Sequence, residues 1–187
     1  MRSAGIRLLY PSSNPTLAGI KTGILLELGF DDTAPNRPVT ISSWAYDVAA
    51  ERKVAVIDNR ALNVPCYVLT HTFVEKLQTI STKYRRLAES DVFPSNFLRH
   101  YYDVYCLLAL PEVLAFIGTP SYAARKEQSF RTGDEPVIAR NPAFLLEAPA
   151  ERARFEAEYR KTEALYYEGQ PEFATILDRI RQHIGVM

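Results

Sequence analysis

Three residues carry a type that conflicts with their surroundings, and those conflicts are where chemistry would sit. Glu27 lies in Leu-Leu-Glu-Leu-Gly-Phe, a carboxylate inside an apolar run. Burying it is expensive unless it is paired or binds a metal. Gly23 and Gly29 fall on its own face of an extended segment, which leaves open space beside it. It reads either as a metal ligand or general base, or as a strand-edge acid facing water. Lys76, in Thr-Phe-Val-Glu-Lys-Leu-Gln-Thr-Ile, falls between an apolar stripe and a polar face, aligned with Thr72, Thr79 and Lys83 at helical spacing. A phosphate-binding cation and a plain surface lysine both fit that position. Asp103 is the one acid in Arg-His-Tyr-Tyr-Asp-Val-Tyr-Cys-Leu-Leu, with Arg99 one helical turn earlier. It reads as half of a structural salt bridge, or as a buried acid that orients a lysine or a substrate. Of the three histidines, only His100, beside Asp103, is placed to join a site.

Strands and then helices must position these groups. Residues 5–10, 21–30 and 39–44 read as strands, separated by Pro-Ser-Ser-Asn-Pro and by a turn from Pro35 to Pro38. In the second, Ile24, Leu26, Leu28 and Phe30 share one face, and Gly23, Leu25, Glu27 and Gly29 the other. Residues 54–57 and 64–69 add short extended pieces. After residue 70 the period becomes helical. Thr72 and Glu75 fit a capping box, followed by Phe73, Leu77, Ile80, Tyr84 and Leu87 as a buried stripe. Residues 96–110 form the next helix, burying Phe97, Tyr101, Val104 and Leu108, and Pro111 ends it. Short helices follow at 111–116 and 121–128. Gly133 and three prolines make residues 131–149 a loop, and helices at 150–167 and 171–184 close the chain, parted by Gly169-Gln-Pro171. The pattern is α+β, with a strand-rich part over residues 1–69 and a helical region over 70–187.

Composition narrows the function classes. Equal numbers of acidic and basic residues give 187 residues a formal net charge of +0, so no overall field selects a polyanion; a nucleic-acid partner needs a local patch such as Lys76, Lys83, Arg85 and Arg86. Cys66 and Cys106 stand far apart in apolar surroundings and read as two buried free thiols. There is no signal-peptide pattern and no apolar stretch of membrane-spanning length, which places the protein in the cytoplasm. Walker and Rossmann fingerprints, zinc-ligand spacing and a serine-hydrolase elbow are all missing from the sequence. Trp44 and the tyrosines read as core.

Taken in order, the three conflicting segments resemble one family, the AbiEii-type nucleotidyltransferase toxins. Leu-Glu-Leu-Gly-Phe-Asp-Asp (26–32) is similar to the family strand that carries a third acidic residue. Thr72-Phe-Val-Glu-Lys76-Leu resembles its helix start with Glu-Lys-Leu. Arg99-His-Tyr-Tyr-Asp103-Val-Tyr resembles its Arg-x-x-Asp-x-Tyr-Asp pattern, with Asp103 at the last acid and Tyr101 where an earlier acid often stands. The resemblance implies a nucleotidyltransferase-type mixed sheet, here partial, followed by a helical C-terminal region. It implies transfer of a nucleoside monophosphate from a nucleoside triphosphate to an acceptor, in some relatives a transfer RNA, with Mg²⁺. Glu27 would be the third carboxylate and a metal ligand, Lys76 would neutralise triphosphate charge, and Asp103, helped by Arg99, would hold the lysine or the nucleotide, with Lys83 and His100 nearby. An antitoxin-like partner, or self-association through an exposed sheet edge, would accompany it. The family's Gly-Ser motif and Asp-x-Asp pair should precede Glu27, and none of the 26 residues before it matches. The chain is therefore expected to be incomplete and inactive alone: its start truncated, its missing strands supplied by an upstream polypeptide, or the chain itself a remnant kept for binding. The competing expectation is a non-catalytic module that binds a protein partner or RNA.

Overall fold

The computed structural model describes residues 3–11, 22–30, 33–94, 96–166 and 168–187. It is mixed α+β, and the chain divides into two compact units, Met1–Cys66 and Tyr67–Met187. Residues 12–15 of the first loop signal, and the Asp31-Asp32 pair, lie outside the described residues.

In the first unit, β1 (Ser3–Leu8) and β2 (Ile24–Gly29) pair antiparallel, with Gly5 opposite Glu27 and Ile6 opposite Leu26. Gly23 turns the chain into β2 at φ +91°; a Cβ there would lie 2.4 Å from the Leu8 carbonyl oxygen, so only glycine fits. The alternation along β2 does not translate into one buried face. Ile6, Leu8, Ile24, Leu25, Leu26 and Leu28 each keep 45–58% of their surface exposed. A two-stranded hairpin buries little of its own apolar surface. The third strand, β3 (Asn36–Ile41), starts within the expected Pro35–Pro38 turn and forms a second two-stranded sheet with β4 (Ala61–Tyr67).

Three expectations fail here. The third strand stops at Ile41 because Ser43 caps a helix, α1 (Trp44–Glu51), its side chain accepting from the Tyr46 amide at 3.1 Å. Trp44, expected in the core, stands at the first position of that helix, 69% exposed. Residues 54–57 form no strand.

The second unit is built around α2 (Leu69–Ser90), which runs 22 residues with no glycine or proline to interrupt it. Phe73, Val74, Leu77 and Ile80 are fully buried, and Leu87 nearly so, while Tyr84 is half-buried. The helix begins three residues before the expected capping box. Val68 caps it without a side-chain bond, Thr72 Oγ1 donates back to the Val68 carbonyl, and Glu75 turns to Tyr67 and Arg125 instead. It stops at Asp91, in the left-handed region at φ 55°, where Arg154 clamps both the carboxylate and the carbonyl.

Against α2 pack α3 (Arg99–Leu107), α4 (Pro111–Phe116) and α5 (Pro120–Ser129). The expected stripe Phe97, Tyr101, Val104 and Leu108 is buried throughout. Residues 131–149 are not a simple loop. They contain a 3₁₀ turn (Ile138–Arg140) and a short helix, α6 (Pro142–Leu145), and they send Ile138, Ala143, Phe144 and Leu146 into the core with no exposed surface. Their spacing follows neither period, so the apolar pattern is silent. Buried Asn141 organises the segment: it caps α6, and its amide donates to Ser81 Oγ at 2.8 Å and to the Glu135 carbonyl at 2.7 Å. The chain closes with α7 (Pro149–Arg160), a 3₁₀ turn (Glu163–Leu165) and α8 (Phe173–His183). Phe155, Tyr159 and Phe173 from these last helices join Phe97 and Tyr101 in an aromatic cluster with ring centroids 5.3–6.4 Å apart. Both cysteines are free, but Cys106 is exposed and Cys66 only partly buried, so the expected pair of buried thiols is corrected. No helix among the described residues is long and apolar enough to cross a membrane.

Leu77 is fully buried at the centre of α2. Leu77→Ala is expected to cost about 3 kcal/mol through lost burial and the cavity left behind. Urea denaturation of the full chain, followed by circular dichroism at 222 nm, checks it.

Candidate functional site

The α2–α3 seam brings Lys76 and Asp103 together. The Lys76 ammonium donates to Asp103 Oδ2 at 2.8 Å, across 27 residues of sequence. Both side chains are mostly covered, at 29% and 27% exposed, so the pair is shielded from water more than a surface bridge. His100 Nδ1 stands 3.6 Å from the same oxygen, too far for a hydrogen bond but close enough to act on its charge. Burial pushes the Asp103 carboxyl up; the neighbouring His100 imidazole and Lys76 ammonium outweigh it and hold the group below the usual carboxylate range. The expected Arg99–Asp103 pair does not form. Asp103's partners are Lys76 and His100, and Arg99 instead shares the wall of a neighbouring cleft with Asp103. One turn of helix separates Arg99 from Asp103, yet the lysine arriving from α2 takes the carboxylate.

Further positive charge flanks this pair. Burial first, then Arg86, Arg99 and Lys76, push the Lys83 ammonium pKa below its usual value. Arg86, Arg99 and Lys76 therefore each stand within electrostatic reach of Lys83, and positive charge held on neighbouring elements favours a bound anion. Arg85, expected among them, is turned away: its Nε donates to Asp134 at 3.0 Å, and it also bridges Glu89.

The cleft beside the pair measures about 470 Å³ and is lined by Arg99, Tyr102, Asp103, Leu165, Tyr166, Glu168 and Gly169. Sequence reading treats the last of these only as part of a helix separator. Two tyrosines and an acid immediately before a glycine, here at φ +91°, were the signal on offer. A second polar group near the start of α2 was also missed: Arg125 donates to Glu75 at 2.5 Å and to the Tyr67 hydroxyl at 2.6 Å. It ties α5 to α2 and reads as structural.

Glu27 lies in the other unit. It is exposed, stands opposite Gly5, and a Cβ built on Gly29 would meet nothing within 4 Å, so the space beside it is open. Among the described residues no three His, Cys, Asp or Glu side chains come together to hold a metal. A hard cation such as Mg²⁺ takes about six oxygen ligands, and Glu27 supplies one carboxylate. The described residues do not fit Mg²⁺ by themselves.

One stability prediction follows from the depressed Asp103 carboxyl. A group whose folded pKa is lowered stabilises the fold above its unfolded pKa, about 3.9 for aspartate, and loses that contribution as pH falls through the folded value. Asp103→Asn is therefore expected to be less stable than the native chain by about 1 kcal/mol near neutral pH, with the gap closing as pH falls through the folded Asp103 value. Denaturant midpoints at a series of pH values test this; a gap independent of pH would contradict it.

Comparison with curated proteins and with solved structures found no match. A family model described as nucleotidyl transferase AbiEii toxin, type IV toxin–antitoxin system, matches residues 2–179. That span takes in the Glu27 strand, the Lys76 helix and the Asp103 helix in the order anticipated, and the chain belongs to the AbiEii nucleotidyl transferase toxin family.

Proposed function

We propose that the helical unit is a nucleoside-triphosphate-binding element of a nucleotidyl transfer reaction, in which a nucleoside monophosphate moves to an acceptor such as a transfer RNA. The observation that carries this reading is the Lys76–Asp103 pair, with Lys83 on the same helix as Lys76 and Arg99 lining a cleft with Asp103. Phosphoryl-type transfer depends mostly on positioning and on charge stabilisation. Lys76 is held in one place by Asp103 and can meet a phosphate oxygen with little loss of side-chain freedom. Lys83 and Arg99 spread compensating charge along the chain of phosphates. His100 stands against the Asp103 carboxylate and helps keep it ionised. Glu27 would contribute one carboxylate to Mg²⁺, together with ligands that the Gly-Ser and Asp-x-Asp motif provides in the family and that this sequence does not contain. The chain alone is therefore expected to bind nucleotide without transferring it. This setting is cytoplasmic, with an antitoxin-like protein as the toxin's partner.

The test is isothermal titration of ATP into the full chain, paired with a transfer assay using labelled nucleotide and Mg²⁺. Lys76→Ala is expected to weaken binding at least about tenfold, the range for a charge-assisted contact, and the native chain is expected to show no transfer. Unchanged binding in Lys76→Ala contradicts the reading. Magnesium-dependent transfer that is lost in Glu27→Ala would show that this sequence needs no further carboxylates.

A second reading, a non-catalytic interaction module, is favoured by the half-exposed apolar side chains on both faces of the β1–β2 hairpin. An antitoxin-like protein, or a second copy of the chain, would cover them. Sedimentation across a range of concentrations separates the two: self-association that Leu26→Lys abolishes supports a second copy, and a monomer throughout opposes it.

A further inference from the structure

We infer that the cleft beside the Lys76–Asp103 pair holds the nucleobase, and that Glu168 makes it prefer bases carrying an exocyclic amino group. The inference rests on the triphosphate reading given above for the seam.

The cleft lining combines two chemistries. Arg99 supplies a cation that would draw phosphate, beside Asp103 of the Lys76 pair. The rest of the lining is largely aromatic and aliphatic. Tyr102 and Tyr166 meet edge to face at 4.7 Å between centroids and 77° between planes. Leu165 extends this apolar wall. Flat rings with an aliphatic flank suit a heterocycle, because each base presents a π-face to aromatic side chains. At about 470 Å³ the volume is in the range of small-ligand clefts.

The lining also holds a carboxylate. Glu168 is exposed and lines the same cleft, and no hydrogen bond or ion pair ties it to a neighbour among the described residues. Its neighbour Gly169 takes φ +91°, a backbone conformation that side chains rarely adopt. A carboxylate only accepts hydrogen bonds. Adenine, cytosine and guanine each offer an amino group to it. The corresponding edge of uracil places its single N–H between two carbonyl oxygens, which a carboxylate repels. Glutamine at this position offers both a donor and an acceptor, and so removes the discrimination.

The experiment titrates ATP, CTP, GTP, UTP and inorganic tripolyphosphate separately into the native full chain and into Glu168→Gln, Tyr166→Ala and Lys76→Ala. UTP is expected to bind at least about threefold more weakly than the amino-bearing nucleotides, and Glu168→Gln to erase that gap. Tyr166→Ala is expected to weaken all four nucleotides about tenfold by loss of stacking while leaving tripolyphosphate unchanged. Glu168 is exposed, so its variant keeps the test valid even where Tyr166→Ala unfolds. UTP binding as tightly as the others, or a ranking that Glu168→Gln leaves intact, overturns the inference. Tripolyphosphate binding as tightly as every nucleotide also overturns it while leaving the phosphate reading standing. Conversely, Lys76→Ala without effect on tripolyphosphate sinks the phosphate reading alone, and an amino-base preference removed by Glu168→Gln would still support the cleft. Absence of binding by any nucleotide overturns both.

Discussion

Burial of the seam between α2 and α3 sets the position of every group that gives the helical unit its chemistry. Phe73, Leu77 and Ile80 on one helix, and Tyr101, Val104 and Leu108 on the other, leave no freedom to rotate either helix without exposing apolar surface. Each such side chain stabilises the fold by about 1.5–3 kcal/mol when buried. With the register fixed, Lys76 and Asp103 have no choice but to meet at the edge of the same seam. Tyr101 then anchors α3 from behind, its hydroxyl donating to the Ala143 carbonyl at 2.7 Å and drawing the 131–149 segment into the core.

The electrostatics follow from that packing. Lys76, Arg86 and Arg99 all act on the Lys83 ammonium, and the Asp103 carboxylate fixes where the Lys76 ammonium points. Glu168 lines the same cleft as Arg99 and Asp103, so the lining carries charge of both signs.

Sequence periodicity carried the helical unit further than the strand-rich one. The stripes of α2 and α3 and the span of α4 were legible because a 3.6-residue repeat survives wherever one helix face is buried. The order of Glu27, Lys76 and Asp103 was legible as a resemblance, and the family match confirms the family. What escaped had local causes. Trp44 looked like core, but the Ser43 cap turned it into the exposed start of a helix. Arg99 had the right spacing for Asp103, but spacing along one helix cannot reveal a competing lysine from another. Residues 138–146 enter the core in short turns with no sustained period, and Glu168 with Tyr166 belongs to a turn whose role depends on what lies across the cleft.

The most direct test of a nucleotide site on the α2–α3 seam is an amide chemical-shift map of the isotopically labelled full chain titrated with ATP. The shifts are predicted to concentrate around Lys76 and Lys83 on α2, Arg99 to Asp103 on α3, and Tyr166 to Gly169 beyond the cleft. Shifts confined to residues 3–66, or scattered with no focus on the seam, would contradict the account.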